Sequence, residues 1–527
     1  MSYTIETENV DHNGRELKGI GLPGQERFAD ALRVDHLHQD LKGRSVRGGA
    51  VSVAAQCAQI LLQSVSTVVL ARLLTPVDFG LVAMVTAITA IAAGFADLGL
   101  TEATIQRKEI SHDQVSMLFW INTGMGLLLT LITALLAPVL AWFYKEPRLF
   151  SITLVVSLSF LISGLRGQHN ALLKRQMRFS AVAIRDVTCY LIAVPVAIVL
   201  AWRGAGYWAI VALPLVLNST QLVMSWWMVD WRPNLPRRGV RVRSLVTFGG
   251  NVAASYVVFN WLRNADNVLI GWYWGAGPLG FYSRAFNLLT LALSQITGPA
   301  SNVAIPALSR IQSDADLFAK YYLRIINVIM WIVATLFGFL FVAAAPVIVI
   351  VLGRKWEQAA PVFQVLAISA LGQMLLESTL WMFVSRGESA RLLKLLLVIT
   401  PCMVGSFAIG LPFGIKWVAL ALSLFLLASL PWIMRFSFRG TSLTLRRLFG
   451  ALLYPTLMAV VGVGVADLAM FVIAPQSTIS QLLTAILGFA IAYSAAFLFR
   501  PVRQEIVSFW KLLGELGLFV RLRQRTS

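Results

Sequence analysis

Long apolar stretches alternate with short polar segments along almost the whole chain. A helix needs about 20 consecutive apolar residues to cross a bilayer, and some fourteen stretches reach that length. They lie near residues 47–71, 78–101, 115–141, 149–170, 180–202, 206–229, 248–274, 278–305, 323–350, 360–384, 391–411, 416–436, 448–473 and 478–499. Because lipid cannot satisfy backbone hydrogen bonds, each such stretch crosses as a helix. The pattern predicts an all-α polytopic membrane protein with about 14 transmembrane helices.

The seventh and eighth stretches carry charged residues that are costly in lipid. Arg263 and Asp266 lie in the seventh, and Arg284 lies in the eighth. An arginine at mid-membrane costs about 3 kcal/mol on translocon scales, and such residues normally face water or a partner. One helical face of the seventh stretch is also polar, with the spacing i, i+3, i+4 and i+7. That face consists of Asn260, Arg263, Asn264 and Asn267. We interpret it as the wall of a water-filled, cationic cavity.

The acidic residues of the spans have two interpretations. Asp266 follows Arg263 by three residues, so the two form a permanent structural pair or pair only while the cavity is empty. Asp266, Asp97 and Glu377 are candidate salt-bridge partners or candidate carriers of a coupling ion, either a proton or Na+. The sequence leaves these roles open.

Three glutamines make the first span unusually polar. Gln56, Gln59 and Gln63 follow the spacing i, i+3 and i+7, so they share one helical face. Amides of this kind either join neighbouring membrane helices by hydrogen bonds or line the same cavity as the Arg263 face. In the second case they suit sugar hydroxyls, because an amide offers both donors and acceptors.

Composition and charge agree with a membrane protein. The chain of 527 residues is 57% hydrophobic and 13% charged, with a net charge of +19. Most Lys and Arg residues fall in the N-terminal tail, the even-numbered loops and the C-terminal tail, a bias that marks the cytoplasmic side. The bias predicts that both termini are cytoplasmic and that the positive charge does not serve nucleic-acid binding. Arg47, Arg166 and Arg185 lie near cytoplasmic helix ends, where we expect them to snorkel to the surface. The three scattered cysteines indicate no disulfide and no metal site.

A weak internal repeat predicts two lobes. Gly48-Gly49-Ala50-Val51 matches Gly249-Gly250-Asn251-Val252, and Asp78-Phe79-Gly80-Leu81 matches Pro278-Leu279-Gly280-Phe281 at nearly the same interval. Transporters built from such parallel repeats bind substrate between the lobes. The predicted parts are a cytoplasmic tail (1–45), an N-lobe of six helices (46–229), a cytoplasmic linker expected to be exposed (230–243), a C-lobe of six helices (244–436), two further helices (437–500) and a basic cytoplasmic tail (501–527).

Four segments give the chain a family resemblance. They are LARLLTPVDFGLVA (70–83), FADLGLTEATIQR (95–107), LGFYSRAFNLL (279–289) and VLGRKWEQAAPVFQVLAI (351–368). They resemble the polysaccharide-export branch of the MOP transporter superfamily, which contains the Wzx-type flippases, and are most similar to the subgroup that exports colanic acid-like units. The resemblance extends over about residues 43–500.

The resemblance implies a two-lobed fold of fourteen helices with a central cavity between spans 1, 2, 7 and 8. It also implies a bacterial plasma membrane protein that moves undecaprenyl-diphosphate-linked oligosaccharides from the cytoplasmic to the periplasmic leaflet by alternating access. Polysaccharide polymerase and export machinery are implied partners, and no cofactor is expected. In this interpretation Arg263 and Arg284 bind the diphosphate, since a guanidinium donates several charge-assisted hydrogen bonds.

Two other functions compete with flipping. A drug or ion antiporter of a sister family is expected to have an acidic cavity, whereas the cavity expected here is basic. A membrane polymerase or ligase for lipid-linked glycans needs a cluster of catalytic residues on the periplasmic side, and the short odd-numbered loops contain none. No P-loop motif is present, so the sequence gives no sign that ATP hydrolysis drives transport.

Overall fold

The computed structural model describes residues 41–96, 100–107, 110–236, 264–496 and 503. Over these ranges the chain is almost entirely helical. The helices are α1 Leu41–Leu73, α2 Pro76–Ala96, α3 Leu100–Gln106, α4 His112–Phe143, α5 Arg148–Arg175, α6 Phe179–Trp202, α7 Tyr207–Met228, α8 (264–274), α9 Ala276–Arg310, α10 Ala315–Val342, α11 Ala344–Leu352, α12 Ala360–Ser385, α13 Ser389–Gly410, α14 Ile415–Ser437, α15 Leu445–Ile473 and α16 Thr478–Ala496.

Thirteen helices of the described ranges are long and apolar enough to cross a membrane. They coincide with thirteen of the fourteen predicted spans, and most of the seventh span falls outside the described residues. The all-α polytopic architecture predicted from hydropathy is therefore confirmed. Two details differ from expectation. Helix α1 begins at Leu41, before the predicted start of the first span, and α9 continues beyond residue 305, the predicted end of the eighth span, to Arg310.

Local sequence explains where several helices begin. Ser111 caps α4 in a capping box with Gln114, in which each side chain accepts a hydrogen bond from the other residue's backbone N–H. Asp314 caps α10 by accepting from two backbone N–H groups, and the Thr444 side chain caps α15. These caps satisfy amides that the first turn of a helix leaves without partners.

The described part of the predicted linker, residues 230–236, is mostly exposed but is anchored by one buried ring. Trp231 is fully buried and packs against Phe119 of α4 and Trp226 of α7. The Asn234 carbonyl accepts from Trp120 Nε1 at 2.8 Å, and the Asn234 backbone N–H donates to Ser116 Oγ at 3.1 Å. An aromatic ring within an otherwise basic segment provides enough apolar area to anchor it. Residues 229–236 thus belong to the N-lobe.

Candidate substrate-binding site between the lobes

The lobes meet where α2 and α9 begin, and the contact there is nearly symmetric. A Cβ atom on Gly80 would lie 1.7 Å from the Ala276 carbonyl oxygen, and a Cβ atom on Gly280 would lie 1.9 Å from the Pro76 carbonyl oxygen. Each glycine thus lies against backbone four residues before the other, at a distance that any side chain would prevent. We call this contact the glycine seam. It joins the two segments that the internal repeat aligned.

Trp356 reinforces the glycine seam from the segment between α11 and α12. Its ring is fully buried, with its centroid 5.3 Å from that of Phe79 on α2 and 6.0 Å from that of Phe281 on α9. The Trp356 Nε1–H donates to the Ala71 carbonyl at 2.8 Å. A residue of the C-lobe therefore bonds the end of α1 while filling the space between α2 and α9. The loops at this end of the bundle are those with few basic residues.

Arg284 lies on α9 directly beneath the glycine seam. Its guanidinium carbon is 4.1 Å from the centroid of the Phe79 ring, a cation–π contact between the lobes. The Arg284 Nε atom is buried and has no hydrogen-bond acceptor among the described residues, and no described carboxylate pairs with this side chain. Burial of a cation without an acid is costly, so this arginine is a candidate for binding an anion.

A polar, exposed face continues from Arg284 along α9. Its exposed members are Asn287, Ser294, Gln295 and Asn302. Counted from Arg284, these positions fall close to whole helical turns. Exposed amides within a membrane helix face water or protein rather than lipid. This face is not among the sequence predictions, although its spacing from Arg284 is visible in the sequence.

The start of α8 contains the described part of the polar face predicted on the seventh span. Asp266 is only 2% exposed, and its Oδ2 accepts a hydrogen bond from the Tyr282 hydroxyl at 2.8 Å. The Asn267 side-chain oxygen is buried without a partner among the described residues, and Asn264 is half-buried. The Asp266–Tyr282 bond ties α8 to α9. Pairing of Asp266 with Arg263 remains a prediction, because Asn260 and Arg263 lie outside the described residues.

The other predicted site residues that the structure describes lie on two helices. On α1, Gln56 and Gln63 are exposed and Gln59 is half-buried. Both interpretations of these glutamines, cavity lining and hydrogen bonds between helices, stay predictions. Glu377 is half-buried on α12, and Asp97 lies outside the described residues.

A second group of polar residues joins α5, α6 and α7. Arg185 is 3% exposed and donates to Asn170 Oδ1 at 3.0 Å, Ser225 Oγ at 2.9 Å and Asp186 Oδ1 at 2.9 Å. Gln221 also donates to Asp186 Oδ1, at 3.1 Å. We call these five residues the N-lobe polar cluster. The expectation that Arg185 snorkels was wrong, because acceptors on three helices hold its guanidinium inside the lobe.

The arrangement of helices is the fold of the lipid II flippase MurJ and of a multidrug resistance MATE family transporter of the MOP superfamily. The chain belongs to the polysaccharide biosynthesis protein family, whose sequence model matches residues 69–361. The family resemblance of the four sequence segments is thereby confirmed.

Individual proteins agree with this assignment. The chain is 26% identical to the lipopolysaccharide biosynthesis protein WzxC of Escherichia coli (strain K12), over 63% of this chain and 68% of that protein. It is 23% identical to the teichuronic acid biosynthesis protein TuaB of Bacillus subtilis (strain 168), over 66% and 72%. The lipid II flippase MurJ, in an inward closed conformation, superimposes with a TM-score of 0.67 over 85% of this chain and 99% of MurJ. The sequence identity to MurJ is 13%, so that likeness shows the fold alone.

Proposed function

We propose that this protein moves polyprenyl-diphosphate-linked oligosaccharides from the cytoplasmic to the periplasmic leaflet of a bacterial plasma membrane, with both termini in the cytoplasm. The proposed ligand has an anionic, hydrated head and an apolar tail. A cavity that opens sideways lets the head pass through protein while the tail remains in lipid. The sugar units then become available to a polymerase and export machinery on the far side.

The environment of Arg284 carries the proposal. Arg284 is a half-buried cation with a buried Nε atom, it has no acid partner among the described residues, and its guanidinium lies on the Phe79 ring. A diphosphate supplies the missing charge and accepts several N–H donors at once. The exposed amides of α9 lie along the path that the head would follow. An amide can donate a hydrogen bond to a sugar hydroxyl or accept one from it.

The glycine seam supplies the element that has to move. Positive-inside bias places the seam on the periplasmic side, so its packed state closes that side. Release of the head then requires the two glycines and Trp356 to separate. Outward movement of an anion is favoured by an inside-negative membrane potential, at roughly 2.3 kcal/mol per charge per 100 mV.

The test is deletion of the gene followed by complementation. Lipid-linked oligosaccharide and extracellular polymer are measured together, and the leaflet of the lipid-linked units is determined by their access to an impermeant reagent. We expect the deletion strain to lose the polymer and to accumulate complete units on the cytoplasmic side. Accumulation on the periplasmic side would instead identify a polymerase or ligase defect and overturn the proposal.

Two arginines of α9 give a matched pair for complementation. Arg284→Ala removes the half-buried cation, whereas Arg310→Ala removes an exposed arginine from the last turn of the same helix. At equal membrane abundance, we expect the Arg310 variant to restore polymer and the Arg284 variant to fail. Full rescue by Arg284→Ala would remove this residue from the substrate site.

A further inference from the structure

The hydrogen-bonding groups on the buried side of the N-lobe polar cluster all have partners, whereas several groups on its open side have no described partner. Asp186 Oδ1 accepts from both Arg185 and Gln221, while Asp186 Oδ2 bonds no described residue. Asn170 uses its amide oxygen for Arg185, which leaves its amide hydrogens without a described acceptor. Tyr190 stands one helical turn from Asp186, and its hydroxyl has no described partner. Asn170, Asp186 and Tyr190 are all half-buried.

The open side of the cluster faces away from lipid. Exposed apolar residues form a stripe along α6 that marks its lipid-facing side. The stripe consists of Ile184, Leu191, Ile192 and Val199. Asp186 and Tyr190 lie on the opposite side of the helix, which they share with the buried Ala193 and Ala197. Helix α6 packs against α1, the helix that carries the exposed Gln56. A half-buried carboxylate on this side is hydrated from inside the protein.

The open groups of this surface suit sugar hydroxyls. They are a carboxylate oxygen of Asp186, the amide hydrogens of Asn170 and the hydroxyl and ring of Tyr190. Pyranose hydroxyls both donate and accept hydrogen bonds, and the C–H face of a sugar packs on an aromatic ring. The two cations of the region are already engaged, because Arg185 pairs with Asp186 and Arg166 donates to Gln221.

Depth in the membrane relates the cluster to Arg284. Asp186 lies roughly 24 Å along α6 from Trp202, and Arg284 lies roughly 12 Å along α9 from Ala276, at 1.5 Å per residue. Both helix ends belong to the same side of the bundle by the order of the spans. The polar cluster is therefore nearer the cytoplasmic side than Arg284 is. A glycan attached to a diphosphate at Arg284 would extend in that direction.

From these observations we propose that Asn170, Asp186 and Tyr190 form a glycan subsite on the N-lobe, which binds sugar hydroxyl groups while Arg284 of the C-lobe holds the diphosphate. This inference rests on the proposed function and assigns the two parts of one ligand to the two lobes. A ligand held in this way has to detach from one lobe when the lobes separate.

The test uses the purified full-length protein in lipid nanodiscs and two probes. One probe is undecaprenyl diphosphate without sugar, and the other is the glycan-bearing lipid fraction extracted from the deletion strain. We expect Asn170→Ala and Tyr190→Ala each to weaken binding of the glycan-bearing lipid by about 10-fold and to leave undecaprenyl diphosphate binding unchanged. Arg284→Gln should weaken binding of both probes. Thr188→Ala is the control on α6, since the Thr188 hydroxyl bonds only its own helix.

Each other outcome has a definite meaning. Equal weakening of both probes by the Asn170 and Tyr190 variants would show that the cluster acts on the diphosphate or on folding, and would overturn the glycan subsite. Unchanged binding of both probes would overturn it as well. If the wild type binds undecaprenyl diphosphate but not the glycan-bearing lipid, the subsite fails while an anion site at Arg284 stands. If the wild type binds neither probe, the proposed function fails together with the subsite.

Discussion

Two arginines within the membrane-spanning helices, one buried and one half-buried, have opposite surroundings. Arg185 of the N-lobe reaches three acceptors, one of them a carboxylate, within 3.0 Å. Arg284 of the C-lobe lies on the face of Phe79 and has a buried Nε without an acceptor among the described residues. Removing a guanidinium from water costs free energy. Hydrogen bonds within the N-lobe offset this cost for Arg185, but no described acid offsets it for Arg284.

This difference separates a structural charge from a charge that waits for a ligand. A satisfied network stabilises the arrangement of α5, α6 and α7, and its loss should appear as unfolding. An unsatisfied cation contributes little to folding, so its loss should appear in transport. Polar or charged groups without a partner inside the protein are expected at functional sites.

Arg185→Leu should have the largest effect on stability. It removes the cation beside Asp186 and leaves the carboxylate, Asn170 and Ser225 without their shared donor. Loss of one partner of a buried pair costs about 3 kcal/mol or more. We expect low membrane abundance and a lower thermal midpoint in detergent. Arg203→Leu, at an exposed site beyond the end of α6, serves as control, and an unchanged midpoint for Arg185→Leu would contradict the structural role.

Gly280→Ala should have the next largest effect, confined to the closed state of the glycine seam. Its new Cβ would lie 1.9 Å from the Pro76 carbonyl oxygen, and relief of such overpacking typically costs 1–3 kcal/mol. Gly298→Ala on the same helix meets nothing within 4 Å and provides the control. The environment of Arg284 depends on this seam through Phe79, whereas the environment of Arg185 does not.

A disulfide across the seam measures its closure. A Cβ on Gly277 would lie 3.8 Å from Val77 Cγ2, so cysteines at these two positions would be neighbours across the seam. We expect the double variant Val77→Cys with Gly277→Cys to cross-link readily under oxidation and to stop transport until it is reduced. Adding Gly280→Ala should lower the yield of the cross-link. An equal yield would mean that the seam tolerates the extra methyl group.

Phe79→Leu should have a smaller effect. It keeps an apolar side chain under Trp356 but removes the aromatic face on which Arg284 lies, a contact typically worth about 1–2 kcal/mol when desolvated. We expect Phe79→Leu to lower the thermal midpoint slightly when Arg284 is present and to leave the midpoint unchanged in an Arg284→Gln background. Equal shifts in both backgrounds would show that packing alone, rather than the cation–π contact, explains the loss.

The fold was predictable because bilayer-spanning helices have a strong signal in sequence. Thirteen spans followed from hydropathy, and the short repeat aligned Gly80 with Gly280 but did not predict their contact. The buried position of Trp231 did not follow from the sequence, because a single aromatic residue in a basic segment gives no periodic signal. Arg185 was misjudged since its acceptors lie on α5 and α7, far away in sequence.

The candidate site was predictable only in part. Arg284 stood out as a charge in an apolar span, but contact with Phe79 and the lack of an acid are tertiary facts. The helical spacing of the exposed polar residues from Asn287 to Asn302 could be recognised in the sequence. It was overlooked because these residues are uncharged. Asn260, Arg263 and Asp97 keep the status of sequence predictions.

Arg284→Gln should have the smallest effect on folding and a large effect on transport. Glutamine keeps hydrogen-bonding capacity and similar length but removes a half-buried charge without an acid, so the thermal midpoint should change little or rise. Transport should fall by at least about 10-fold, because an amide replaces a charge-assisted fork at the phosphate. The measurements are thermal unfolding in detergent and polymer production at matched abundance. A destabilisation as large as that of Arg185→Leu would show that Arg284 also has a structural role, and the contrast between the two arginines would disappear.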